Sequence, residues 1–309
     1  MANDEDAGGA IPTLRGDDLL ALLPQGIGAV EVEEYCNLPS AHFTLDTVWG
    51  LRARVAELAD DDQTQGIVIT HGTDVMEETA YLLDLTVDTD IPICLTGAMR
   101  AASEVGYDGA ANLLAAIRVA ASEASRGLGA LVVMNQEIHA ARRVTKTDTQ
   151  STDTFKSSPW GALGRVDGDR VVVEQRVARQ CVPCAGLNPN VHLIKLGVGT
   201  DDGFLRQLME RNVAGVVIEA LGGGRVPPWW MPTIREASER GMAIVVASRC
   251  PSGRVYDGYA YEGAHRDLAD AGAIFAEGLN GQKARMKLMV ALGESTDWES
   301  IQRLFEDRA

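Results

Sequence analysis

One stretch constrains this chain more than any other: Gly66-Ile67-Val68-Ile69-Thr70-His71-Gly72-Thr73-Asp74, followed at once by Val75-Met76-Glu77-Glu78-Thr79-Ala80. A short apolar run rich in β-branched residues is the pattern of a buried parallel strand. Met76, Ala80, Leu83 and Val87 then recur at helical spacing, so the chain passes from strand to helix at Gly72-Thr73-Asp74. In open α/β sheets that turn, at the carboxyl end of a strand, is where ligands bind. Here it offers a hydroxyl, a carboxylate and backbone N–H groups at a helix start, which suits an anionic or polarised ligand. The same spacing supports a plainer reading, in which Asp74 and Glu77 form a capping box and only satisfy helix-end amides.

Similar units recur along the chain. A short helix is predicted over 17–23, a brief strand over 29–32 and a helix over 44–58. Strand 66–70 leads to helix 74–87, strand 91–95 to helix 109–122, and strand 129–135 into a long polar segment. Residues 165–174 alternate around Asp167-Gly168, a hairpin signal. Further strands are predicted at 191–197, 214–219, 243–247 and 272–276, with helices at 202–211 and 229–239. Two helices close the chain, one over 282–292 and one opened by Thr296 with Glu299 as a capping box. Strands alternating with helices imply right-handed βαβ units.

The fold class expected is therefore α/β, with two domains, each a mainly parallel sheet flanked by helices and the first Rossmann- or flavodoxin-like. At 309 residues the chain is long for one domain. Residues 175–190 show no clear period and hold two prolines. The expected division is an N-terminal domain over 1–174, a linker over 175–190 and a smaller C-terminal domain over 191–309.

A formal net charge of -16 argues against nucleic acid, since neutralising phosphates needs clustered Lys and Arg. No run of 18 apolar residues exists, so no membrane-spanning helix is expected. The start, Met1-Ala2-Asn3-Asp4-Glu5-Asp6, lacks the basic and apolar regions of a signal peptide. Five scattered cysteines suit a reducing compartment, and the expected location is cytoplasmic. Cys181-Val-Pro-Cys184 is a lone pair without nearby histidines and reads as incidental, so no metal is expected.

His71-Gly72-Thr73-Asp74-x-x-Glu77-Glu78-Thr79-Ala80 resembles the second signature of the bacterial L-asparaginases, which are threonine amidohydrolases. Thr96-Gly97-Ala98-Met99-Arg100, Asp108-Gly109 with Asn112, Arg143-Val144-Thr145-Lys146-Thr147, Thr154-Phe155-Lys156-Ser157 and Leu279-Asn280-Gly281-Gln282-Lys283-Ala284-Arg285 extend the resemblance from about residue 37 to the end. The resemblance implies an asparaginase-like fold and hydrolysis of L-asparagine through a threonine acyl-enzyme, with no metal or organic cofactor. It assigns Thr73 as the second catalytic hydroxyl, Lys146 as its base partner and Asp74 as ligand of the substrate's α-ammonium. Ser40, in Asn37-Leu38-Pro39-Ser40, matches the serine that holds the α-carboxylate. Ala98 lies where small residues let backbone approach the substrate. The small-molecule substrate would be the main partner, in a homotetramer built as a dimer of dimers. His71 and His139 match no role and read as structural.

The sequence departs from the family at three places. The opening apolar strand and its Thr-Gly-Gly-Thr, whose second threonine is the primary nucleophile, have no counterpart. Gly8-Gly9-Ala10-Ile11 imitates the motif with alanine. Ala41 follows Ser40 where many members carry a polar side chain, and Leu221-Gly222-Gly223-Gly224-Arg225 has glycine in place of an asparagine. A missing central strand would leave neighbouring edges unpaired. The expectation is that Met1 is internal to the gene, which the upstream coding DNA decides, and that turnover of this chain is impaired. A catalytically inactive amino-acid binder of the same fold is the alternative, and an ammonia-supplying amidotransferase subunit a third.

Overall fold

The computed structural model describes residues 2–4, 9–11, 13–256 and 258–306. The chain divides into two compact units, Met1–Cys181 and Val182–Ala309.

In the first unit, β1 (Ala2–Asp4) and β2 (Gly9–Ile11) form a small antiparallel ribbon, followed by α1 (Gly16–Leu20) and α2 (Leu45–Ala59). Of the segment Gly8-Gly9-Ala10-Ile11, Gly8 lies outside the described residues. Then come β3 (Ile67–Thr70), α3 (Met76–Thr86), β4 (Ile93–Thr96), α4 (Gly109–Ala120), β5 (Ala130–Met134) and β6 (Glu137–Ala140). A two-residue hairpin, β7 (Thr145–Lys146) with β8 (Phe155–Lys156), precedes β9 (Gly164–Asp167) and β10 (Arg170–Val173). The main sheet has the order β10-β9-β6-β5-β4-β3.

Strands β3, β4 and β5 are parallel, as the βαβ pattern requires. The other pairings are antiparallel, so the sheet is mixed. The switch occurs at Asn135 and Gln136, whose φ angles of 49° and 65° make the left-handed two-residue turn that folds β6 back on β5. The polar segment after β5, for which no element was predicted, thus contributes a sheet strand, β6.

Successive residues of a strand face opposite sides. Ile93 and Leu95 of β4 join Val132 of β5 in packing on Leu51 and Val55 of α2 and on Met76, Ala80 and Leu83 of α3. Cys94 of β4 and Leu131 and Val133 of β5 face Ala116 and Val119 of α4. Each large apolar side chain buried in this way contributes roughly 1.5–3 kcal/mol.

The strand expected at 29–32 does not form. Val30 and Val32 are exposed, and the segment runs extended beside α2, tied by a Glu33–Arg54 ion pair of 2.8 Å. Although β3 ends the sheet and presents an open edge, the segment pairs with no strand among the described residues.

The second unit has a four-stranded parallel sheet, β11 (Val191–Lys195), β12 (Gly215–Ala220), β13 (Ala243–Ser248) and β14 (Ile274–Phe275), in that order. Helices α5 (Gly203–Glu210), α6 (Met231–Glu239) and α7 (His265–Asp270) connect the strands, and α8 (Gly281–Glu294) and α9 (Trp298–Glu306) close the chain. Ile218, Ile244 and Val246 pack with Leu205, Leu208, Trp230 and Ile234, while α8 lies against β11, β12 and β13. The last helix is capped one residue later than expected. Asp297 accepts the Ser300 N–H at 2.9 Å, and its carboxylate takes the place assigned to the Thr296 hydroxyl.

Between β10 and β11 the chain carries no helix or strand, and the border of the two units lies there. No helix of the described residues is long and apolar enough to cross a membrane.

Candidate active site

The site forms where β3 and β4 end side by side. The ladder runs one residue past β3, with the His71 N–H donating to the Thr96 carbonyl at 2.8 Å. Beyond it the two strand ends approach so closely that side chains are excluded. A Cβ on Gly72 would sit 2.6 Å from Ser40 Oγ, and one on Gly97 would sit 2.3 Å from the His71 carbonyl oxygen. Thr73 and Asp74 then follow, and α3 begins at Met76.

Lys146 reaches this turn from β7. Its Nζ donates to Thr73 Oγ1 at 3.0 Å and to Asp74 Oδ1 at 3.0 Å. The lysine side chain is 20% exposed and the aspartate side chain 60%. An ammonium or amine held this near a hydroxyl can exchange a proton with it, and the half-open carboxylate can meet a cationic group arriving from solvent.

The capping-box reading of Asp74 and Glu77 is overturned. Helix α3 has Val75 at its N-cap position and no side-chain cap. Glu77, buried, turns instead to Lys146, accepting its backbone N–H on Oε2 at 3.0 Å. The hairpin register explains why that N–H is available. Thr147 donates to the Thr154 carbonyl, so the neighbouring pair, Lys146 and Phe155, is the non-hydrogen-bonded kind and the Lys146 N–H points away from β8.

Ser40 is buried in a short 3-10 turn, Ser40–His42, and its Oγ accepts the Asp74 N–H at 3.2 Å. Ser40, Thr73, Asp74 and Lys146 are therefore linked by direct contacts. Ala98 lies in the loop after β4, the strand beside β3. That loop is fixed by a network the sequence reading did not identify. Asp108 accepts the Met99 and Arg100 N–H groups at 3.1 and 3.0 Å, and Asn112 donates to the Gly97 carbonyl at 3.0 Å. Asn112 also accepts the Asn135 N–H at 2.9 Å, joining the loop to the β5–β6 turn. The sequence signal was Asp108-Gly109 with Asn112 at a helix start, four residues apart on one face.

His71 is buried and bridges within its own turn. Its Nδ1 lies 2.5 Å from the Gly72 carbonyl and its Nε2 3.1 Å from Thr79 Oγ1, with Phe43 edge-on at 4.9 Å. A carbonyl only accepts, so Nδ1 carries the proton and Nε2 accepts from the threonine hydroxyl. Burial lowers its pKa below the usual 6.5. His139, on β6, meets Ser157 Oγ through Nδ1 at 2.9 Å and so ties the exit of the β7–β8 hairpin to the sheet. Among the described residues no group of three or more His, Cys, Asp or Glu side chains could hold a metal ion.

Residues 1–179 match the family described as "Asparaginase, N-terminal", and residues 190–305 match "Glutaminase/Asparaginase C-terminal domain". The chain is 36% identical over 271 residues to an L-asparaginase of Bacillus licheniformis, covering 87% of this chain and 84% of the relative. It is 36% identical over 298 residues to L-asparaginase 2 of Escherichia coli K12, covering 94% and 84%. Its identity to a glutaminase-asparaginase of Pseudomonas aeruginosa is 35% over 299 residues, covering 94% and 81%. Two matched domains in their proper order, with relatives covered over most of their length, place this chain in the asparaginase family of amidohydrolases.

Proposed function

We propose that this protein is an L-asparaginase, hydrolysing L-asparagine to L-aspartate and ammonia through a threonine acyl-enzyme. The observation that carries the reading is the 3.0 Å contact of Lys146 Nζ with Thr73 Oγ1, made while the same ammonium touches Asp74 at 3.0 Å. Asp74 receives the substrate's α-ammonium and Ser40 its α-carboxylate, which presents the side-chain amide to Thr73. With Lys146 as the amine, the Thr73 hydroxyl proton passes to Nζ as its oxygen bonds to the amide carbon. The tetrahedral intermediate then collapses to the ester, and Nζ returns the proton to the departing ammonia. Water attacks the ester next, giving aspartate and restoring the hydroxyl.

The resemblance assigns the first attack to a threonine of the opening signature, which no segment of the given sequence matches. Thr73 is the hydroxyl that meets Lys146, and loss of a nucleophile in comparable triads lowers turnover by a factor on the order of 10⁴–10⁶. Ammonia release tests this on three forms: this chain, Thr73→Ala, and a form extended by an apolar strand ending in Thr-Gly-Gly-Thr. Weak release from the first, background from the second and a large rise in the third are expected. Equal turnover in the first and third overturns the reading.

Asparagine is preferred here over glutamine as the proposal, although relatives of near-equal identity carry both amides in their names. One methylene in a pocket shifts discrimination by only about 1–3 kcal/mol, so rates with both amides decide it. The buried Ser40 bonded to Asp74 also suits a second reading, an amino-acid binder of the same fold. Calorimetric titration with aspartate and asparagine separates the two, since heat of binding without ammonia release supports the binder. Assembly as a homotetramer of two dimers belongs to the same proposal and is read by light scattering.

A further inference from the structure

We propose that Glu77 is a positioning residue, whose buried carboxylate holds the backbone of Lys146 so that the lysine Nζ stays against Thr73. The inference rests on the amide-hydrolase reading of the site, and adds to it a group that touches no substrate.

The case begins with the weakness of the element carrying the lysine. β7 and β8 are two residues each, and a ribbon of that length is not stable unaided. It is fastened at its exit by Ser157 on His139 and at Lys146 by Glu77 on the backbone N–H. The second fastening matters more to the chemistry, because it acts on the lysine itself. Glu77 is the second residue of α3, three residues after Asp74, so the hydroxyl and the lysine main chain are referenced to one helix start.

The burial of the carboxylate points the same way. A carboxylate taken out of water costs free energy unless hydrogen bonds replace the lost hydration. Glu77 is 5% exposed near the N-terminus of α3, whose N-cap residue Val75 supplies no capping side chain. Its Oε2 reaches across 69 residues of sequence to Lys146. A lysine side chain has four rotatable bonds, so an unfastened backbone would spread Nζ over several ångströms. Misplacing a reacting group by 1 Å costs about 10²-fold in rate.

Two substitutions separate the hydrogen bond from the charge. Glu77→Gln keeps the length and an accepting oxygen but loses the charge. Glu77→Asp keeps the charge but withdraws the carboxylate by about one bond, ~1.5 Å, beyond reach of the N–H. The readout is the rate at which Lys146 Nζ reacts with trinitrobenzenesulfonate, measured by peptide mass spectrometry on the full chain, which needs no turnover. Glu77→Gln is expected to react at the parental rate, and Glu77→Asp about ten-fold faster, the factor carried by one hydrogen bond to the backbone N–H. The reverse order, or equal rates in all three proteins, overturns the proposal. In the extended form, kcat should fall in Glu77→Asp with KM held, and recover in Glu77→Gln. Lys146→Ala is assayed beside them. If it hydrolyses amides as fast as its parent, the reading of the site has failed, while the labelling result still decides the role of Glu77.

Discussion

Ser40 Oγ accepts the Asp74 N–H at 3.2 Å, across 34 residues, and the glycine between Asp74 and the end of β3 is what lets the two come together. Thr73 lies beside them and Lys146 completes the group, so three short contacts join three separate segments of the first unit.

The closeness of Ser40 to Gly72 sets the first expectation. Gly72→Ala places a methyl group 2.6 Å from Ser40 Oγ and 2.9 Å from its Cβ, both in a buried turn. Overpacking of this kind costs about 1–3 kcal/mol, and it displaces the serine from Asp74. Urea unfolding should show a lower midpoint with an unchanged slope, together with weaker aspartate binding.

Lys146→Arg is expected to be as damaging as Lys146→Ala. The guanidinium keeps the charge beside Asp74 but does not give up its proton, so it cannot take one from Thr73. Loss of a positioned acid–base group lowers turnover about 10²–10⁴-fold. Steady-state kinetics of the extended form check it, and an arginine variant with parental kcat would show that Lys146 acts as a fixed charge.

His71 predicts a pH dependence of stability. Burial lowers its folded pKa below 6.5, so the unfolded chain takes up the proton first as pH falls. The stability tied to the neutral ring is thus present above pH 6.5 and lost as pH falls from there through the folded value. His71→Gln should be less stable than the parent at pH 7.5, and the gap should narrow at pH 5. Urea midpoints at the two pH values measure it.

Asn112 should matter to the loop that bears Ala98. In Asn112→Asp the donor to the Gly97 carbonyl is lost, and a second carboxylate faces Asp108, whose Oδ2 now lies 3.0 Å from the amide nitrogen. Unsatisfied buried groups cost about 1–3 kcal/mol. A lowered melting temperature with faster amide exchange at Met99 and Arg100 is the expected outcome.

Much of this was legible in order along the chain. The apolar run 66–70, the glycine break and the helical spacing from Met76 announce a strand, a turn and a helix because period and sterics act between near neighbours. The resemblance at His71 to Ala80 pointed to Thr73 and Asp74, and the other matching segments to Ser40, Ala98 and Lys146. The local rules failed where a partner was chosen from far away. Thr296 and Asp297 both suited a cap, and Glu77 fitted a capping box by spacing alone. The segment 29–32 had strand composition but joined no sheet, and the polar segment after β5 became a sheet strand because Asn135 and Gln136 turn it back.

The sequence by itself determined the α/β alternation, the two-sheet architecture and the family, since each rests on patterns within some ten or twenty residues. Only the tertiary structure decided which N–H Glu77 answers, which hydroxyl Lys146 meets and which edge is left unpaired. Those choices pair groups up to 73 residues apart, and hydrogen-bond geometry over such separations is set by how the sheet stacks its strands, not by any local preference of the chain.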